Sequence, residues 1–229
     1  MMLDSGVERR PPPARAGVVS RIITVIGQLV LPVLSLAATL ALAWTCRAEV
    51  ATDFRFLRDM HPSLDPTTDS WLTWGALLLP ATFFVLNLIN RRYGSALALG
   101  AALLTWVFIA GGLVWALREG FVHELSEIAP VRIMGAFVGA MLLGQIVNVS
   151  FFDWFRGIPW WKAPFVAALL GGLTFTLAFH LAMGSGFDEV ALPRLAALGG
   201  LQLIWACFQL VPTKFLRRAI RPCPGYGGA

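Results

Sequence analysis

Acid is scarce in this chain: 13 Asp and Glu stand against 18 Lys and Arg in 229 residues, and neither sign enters the middle of any long apolar run. Proton relays and ion-coupled sites within a bilayer rest on an intramembrane ionisable residue, so an obvious one is missing. His180, with Thr176 one turn before it, is the exception near the end of a run, and a lone histidine there is read first as packing and second as a gate. No His/Glu metal spacing, no nucleophile beside a base and no carboxylate pair falls inside the apolar runs, so neither an enzyme nor a metal site is expected, and no cofactor. Cysteine is rare as well. Cys46, Cys207 and Cys223 have no evident partners, which argues against disulfides. The sequon Asn148-Val-Ser150 lies within an apolar run, where it cannot be glycosylated.

What the chain has in abundance is apolar length. It is 57% hydrophobic and 14% charged, with a mean hydropathy of +0.71, more apolar surface than a soluble core of this size can bury. Six runs, 22–46, 71–89, 95–117, 131–152, 163–183 and 191–211, each supply the ~20 residues that a helix needs to cross ~30 Å of hydrocarbon. They lack the alternation of barrel strands, and hydrocarbon admits only helices or closed barrels. The expected fold is an all-α integral membrane protein: six transmembrane helices in one compact bundle. The first run is too long for the apolar core of a cleaved signal, and Ala43, Trp44 and Thr45 before Cys46 make no lipoprotein box.

Charge sets the expected orientation. Arg9, Arg10, Arg15, Arg21, Arg91, Arg92, Arg156, Lys162, Lys214, Arg217, Arg218 and Arg221 fall on one face, while Arg47, Arg55, Arg58, Arg118, Arg132 and Arg194 share the other with most of the carboxylates. Both termini are therefore expected in the cytoplasm, with a basic tail over 1–21, the transmembrane domain over 22–211 and a second basic tail over 212–229. The net charge of +5 then reports topology, and no nucleic-acid partner is expected. The Pro- and Gly-rich ends, 11–13 and 221–229, predict irregular tails. The long loop over 47–70 reads equally as a lid across the bundle mouth or as a plain connection.

Local features refine the helices. Trp160 and Trp161 beside Lys162 read as an interfacial anchor. Gly135 and Gly139, Gly171 and Gly172, and Gly199 and Gly200 predict close helix seams. Pro80 predicts a kink in the second helix.

The polar residues left inside the runs are mostly amides. Gln145 and Asn148 lie three apart, as do Asn87 and Asn90, while Gln202, Trp205 and Gln209 recur at helical spacing. Asn87, Asn148 and Gln209 fall at similar depths toward the basic face. An amide offers donor and acceptor together, which suits the edge of a planar heterocycle, and an indole offers a stacking face. A nucleobase-like solute fits this set. The competing reading is that the amides bond across helices, each worth ~0.6 kcal/mol.

The run Thr73-Trp-Gly-Ala-Leu-Leu-Leu-Pro80 leading to Asn87-Leu-Ile-Asn-Arg-Arg-Tyr-Gly94 resembles the second-helix signature of the queuosine precursor transporters, the vitamin-uptake-transporter-like (VUT) family. Arg132-Ile-Met, Leu143-Gly-Gln-Ile-Val-Asn-Val149, the loop with Trp160-Trp161, Leu170-Gly-Gly-Leu-Thr-Phe-Thr-Leu-Ala-Phe179 and Leu210-Val-Pro212, closing the sixth helix, follow the family in order and spacing. The resemblance covers 71–218. It implies a multi-pass inner-membrane transporter, not an enzyme, that takes up 7-deazaguanines such as preQ0 or preQ1. It also implies a substrate site at Asn87, Gln145, Asn148, Gln202 and Trp205, the amides bonding the heterocycle and Trp205 stacking on it.

The departures from the family are equally informative. The family carries acids where this chain has Asn87 and Asn148, an Asn and an Asp near Gly172 and Phe175, and a base where it has Gln202. Either acids and base were lost together, leaving a neutral pocket suited to uncharged ligands, or the family substrate was abandoned. The alternatives from other classes are a substrate-binding membrane subunit that needs an energising partner, and a diverged scaffold with no solute. The partners implied are a small purine-like solute and the lipid bilayer, with a homodimer left open.

Overall fold

Six helical segments long and apolar enough to span a membrane dominate the computed structural model, which describes residues 18–52, 72–124, 129–157, 159–184 and 191–223. In chain order the elements are α1 (Val18–Thr45), β1 (Val50–Thr52), β2 (Leu72–Thr73), α2 (Trp74–Leu78), α3 (Ala81–Tyr93), α4 (Ser95–Arg118), α5 (Val131–Trp154), α6 (Lys162–Ala182), α7 (Ala191–Phe208) and α8 (Leu210–Ala219). The spans run Ile23–Thr45, Trp74–Tyr93, Ser95–Arg118, Val131–Trp154, Lys162–Ala182 and Arg194–Ala219. They coincide with the six apolar runs except at the end of the last one. Most of the long loop, 53–70, with residue 71 and the tail segments 1–17 and 224–229, lies outside the described residues, and with it the choice between a lid and a plain connection.

Two interruptions shape the bundle. Pro80 does more than kink the second span: it separates α2 from α3, because a proline nitrogen has no hydrogen to donate to the preceding turn. The Thr73 hydroxyl caps α2 by accepting from the Ala76 amide at 3.1 Å, and β1 pairs antiparallel with β2 just before it. α2 presses on the end of α1, where a Cβ on Gly75 would come 2.5 Å from the Ala43 carbonyl oxygen. The second interruption, at Gln209, divides the sixth span into α7 and α8. Here an expectation fails: Leu210-Val-Pro212 does not close the last helix. Pro212 sits in the first turn of α8, where a missing N–H costs nothing, and helix continues to Ala219.

The most extensive pairing is α5 on α6, and glycine makes it close. A Cβ on Gly144 would lie 2.7 Å from the Gly171 carbonyl oxygen, and one on Gly171 would lie 2.8 Å from Asn148 Cβ. Gly172 packs directly under the Gln202 amide. The expectation of seams at Gly135, Gly139 and Gly200 is overturned, since nothing lies within 4 Å of a Cβ built on any of them. α3 packs on α1, α4, α5 and α6, and α7 packs chiefly on α6. One buried cluster joins Leu40, Phe83, Met141, Ala168 and Phe175, and another joins Leu36, Leu86, Ala98, Ala101 and Val149.

Candidate functional site

The buried polar residues gather along the faces of α3, α5 and α7 that turn inward. Asn87, Asn90, Gln145, Asn148, Gln202 and Gln209 are each at most 5% exposed, in a bundle whose outer faces are almost wholly apolar.

At the basic end, Asn87 Nδ2 donates to the Pro164 carbonyl at 3.2 Å and to Gln209 Oε1 at 3.3 Å, while Gln209 Nε2 donates to the same carbonyl at 2.8 Å. Pro164 occupies the first turn of α6, so three spans meet at one carbonyl. Asn90, one turn on, donates to the Val149 carbonyl at 3.2 Å and accepts from Arg156 at 2.8 Å. These bonds are the interhelical ties that amides make in any membrane bundle.

The other amides are not so satisfied. Gln145 Oε1 accepts from the Trp106 indole N–H at 3.0 Å, but its Nε2 has no partner among the described residues. Neither polar atom of Asn148 has one, nor have Asn87 Oδ1 and Gln202 Oε1. A buried polar group left unmade costs ~1–3 kcal/mol, so five such atoms need a reason that packing does not supply. Asn148 lies against Gly171 and Gln202 against Gly172, consecutive glycines of α6, which brings α5 and α7 to one strip of backbone. Toward the opposite end, Phe137 meets the rings of Trp44, Trp106, Phe175 and Phe179 at centroid distances of 5.4–6.4 Å. This aromatic wall stands next to Gln145 through Trp106.

Asn87, Gln145, Asn148 and Gln202 therefore all lie in the buried interior. Trp205 does not join them: it is half-buried at the edge of the inward face, and its described ring contact is with the exposed Phe208 at 5.4 Å. Sequence reasoning missed Trp106 and Phe137. An indole nitrogen within an apolar run was the available signal for the first; for the second there was none. Trp160 also departs from the simple anchor, since it lines an interior cleft with the Arg217 guanidinium 4.8 Å over its ring, while Trp161 is exposed.

Over 120 residues, 47% of this chain, the sequence is 33% identical to the queuosine precursor transporter of Escherichia coli strain K12. This chain is similar to a transporter. The match takes in 52% of that protein, so it spans about half of each. No family model matches the chain, and no solved structure does. The six apolar helices support a multi-pass membrane protein, and the similarity is to a protein named as a transporter. The link to queuosine comes from the relative's name.

Proposed function

We propose that this chain is an inner-membrane importer of a queuosine precursor, a 7-deazaguanine such as preQ0 or preQ1, or of a related purine-like solute. It is one compact six-helix bundle with its basic segments, 1–21 and 212–229, in the cytoplasm. Asn87, Gln145, Asn148 and Gln202 bond the heterocycle, and Trp205 borders it. The observation that carries this reading is the set of five buried amide atoms without partners among the described residues, two of them on Asn148. Together they offer two kinds of contact, N–H donors from Gln145 and Asn148 and carbonyl acceptors from Asn87, Asn148 and Gln202. The edge of a guanine-like ring presents the complementary mixture.

The buried amides carry no charge, so they offer no carboxylate to compensate an aminomethyl ammonium once water is stripped away. The nitrile-bearing precursor carries no charge and enters at lower cost. Uptake is tested in a bacterium that neither makes nor imports queuosine precursors, with modified tRNA as readout. The protein is expected to restore modification, better with the nitrile than with the aminomethyl compound, and Asn148→Ala to abolish it. A well-expressed protein that restores nothing with any precursor would sink this reading.

A further inference from the structure

At the basic end of the bundle a narrow cleft, partly open to solvent, reaches inward to Asn87. Arg91, Arg156 and Trp160 form its walls. Arg91 follows Asn87 by one turn of α3, so the two side chains share a helix face about 6 Å apart along the axis.

Their free valences are opposite in kind. Both Nδ2 hydrogens of Asn87 have acceptors in Pro164 and Gln209, which leaves Oδ1 as a buried acceptor without a donor among the described residues. Arg91 donates through Nε to the Ile220 carbonyl at 3.2 Å, and among the described residues its terminal nitrogens have no acceptor. The surroundings add positive charge. Arg156 stands across the cleft, bonded to Asn90 and Asp153, and the Arg217 guanidinium lies over Trp160. Asp153 is the single carboxylate at this end among the described residues, and Arg156 already engages it. A half-buried guanidinium whose terminal donors and charge find no partner among the described residues is suited to a planar carboxylate, which answers it with two parallel bonds.

We propose that this cleft binds the solute through a negative substituent, taking a planar N–H heterocycle whose ring N–H bonds Asn87 Oδ1 and whose carboxylate pairs with Arg91. The Trp160 ring supplies the apolar wall beside the heterocycle. The inference rests on the transport of purine-like solutes proposed above and adds the charge class of the solute. It ranks the 7-deazaguanines as carboxy, then cyano, then aminomethyl.

Binding to the purified full-length protein in lipid nanodiscs, measured by calorimetric titration of 7-carboxy-, 7-cyano- and 7-aminomethyl-7-deazaguanine, tests this ranking. The carboxylate is expected to bind tightest. Arg91→Gln is expected to weaken it about tenfold while leaving the cyano compound within about twofold, the span of one charge-assisted hydrogen bond. Arg92→Gln, on an exposed side chain whose guanidinium lies 5.9 Å from the Tyr93 ring, is expected to change neither. If Arg91→Gln does not fold, Arg91→Lys, which keeps the charge and loses the fork, is expected to reduce only the carboxylate's advantage. Tighter binding of the cyano or aminomethyl compound, or an equal loss of all three in the Arg91 variant, overturns the charge inference and leaves the transport reading standing. Binding of none of the three to folded wild-type protein overturns both.

Discussion

Asn148 holds two polar atoms at zero exposure with no partner among the described residues, so folding and the proposed function pull on it in opposite directions. Leucine keeps the same branched outline, somewhat larger, without polar atoms. Asn148→Leu is expected to raise thermal stability in detergent by the equivalent of ~1 kcal/mol, because an unmade hydrogen bond is removed with its group, and to abolish uptake. A destabilised variant would show instead that Asn148 is a structural tie. Trp106 makes the converse case. Its indole N–H is the described donor to Gln145 Oε1, so Trp106→Phe orphans the rest of a fully buried amide and is expected to destabilise by ~1–3 kcal/mol in the same melting experiment. The amides were legible in the sequence because a polar group within an apolar run stands out. The Trp106–Gln145 bond was not, since its partners lie 39 residues apart on helices whose rotation about their axes the sequence leaves open.

At the scale of elements, the α5–α6 seam is the contact most sensitive to added volume. A methyl on Gly171 meets Asn148 Cβ at 2.8 Å, the Gly144 carbonyl oxygen at 2.9 Å and the Phe83 ring at 3.2 Å, and two of these three neighbours are backbone or fixed at their own Cβ. Gly171→Ala is expected to cost ~1–3 kcal/mol, seen as a lower melting temperature. Gly139→Ala, with nothing within 4 Å, is expected to be neutral or slightly stabilising through helix propensity. Equal effects would mean that the seam is loose. The spacing of small residues is visible in sequence, but Gly135 and Gly139 satisfy it as well as any pair does. Only packing distinguishes the glycines that meet a neighbour from those that do not. The length of the last helix was hidden for a related reason: Lys214, Arg217 and Arg218 read as part of a basic tail until α8 carries them, Lys214 and Arg218 exposed and Arg217 over the Trp160 ring on the face that buries Thr213.

For the whole molecule, the apolar runs were long enough to locate all six spans, while the sidedness of the bundle rests on the distribution of charge. Eight bases, Arg91, Arg92, Arg156, Lys162, Lys214, Arg217, Arg218 and Arg221, stand at one end against Asp153 among the described residues, and the proposed topology puts that end in the cytoplasm because Lys and Arg are retained there. The cysteines report on this directly. Cys46 follows α1 at the opposite end, Cys223 donates its amide to the Arg91 carbonyl at the basic end, and Cys207 lies on the outer face of α7 within the last span. A membrane-impermeant thiol reagent needs water and a thiolate, neither of which hydrocarbon provides at Cys207. In intact cells the reagent is expected to label Cys46 alone, so that Cys46→Ser abolishes labelling and Cys223→Ser leaves it unchanged; permeabilised membranes then add Cys223. Labelling of intact cells that depends on Cys223 would invert the bundle, place the Arg91 cleft on the outer face, and turn the same residues from a site of release into a site of capture.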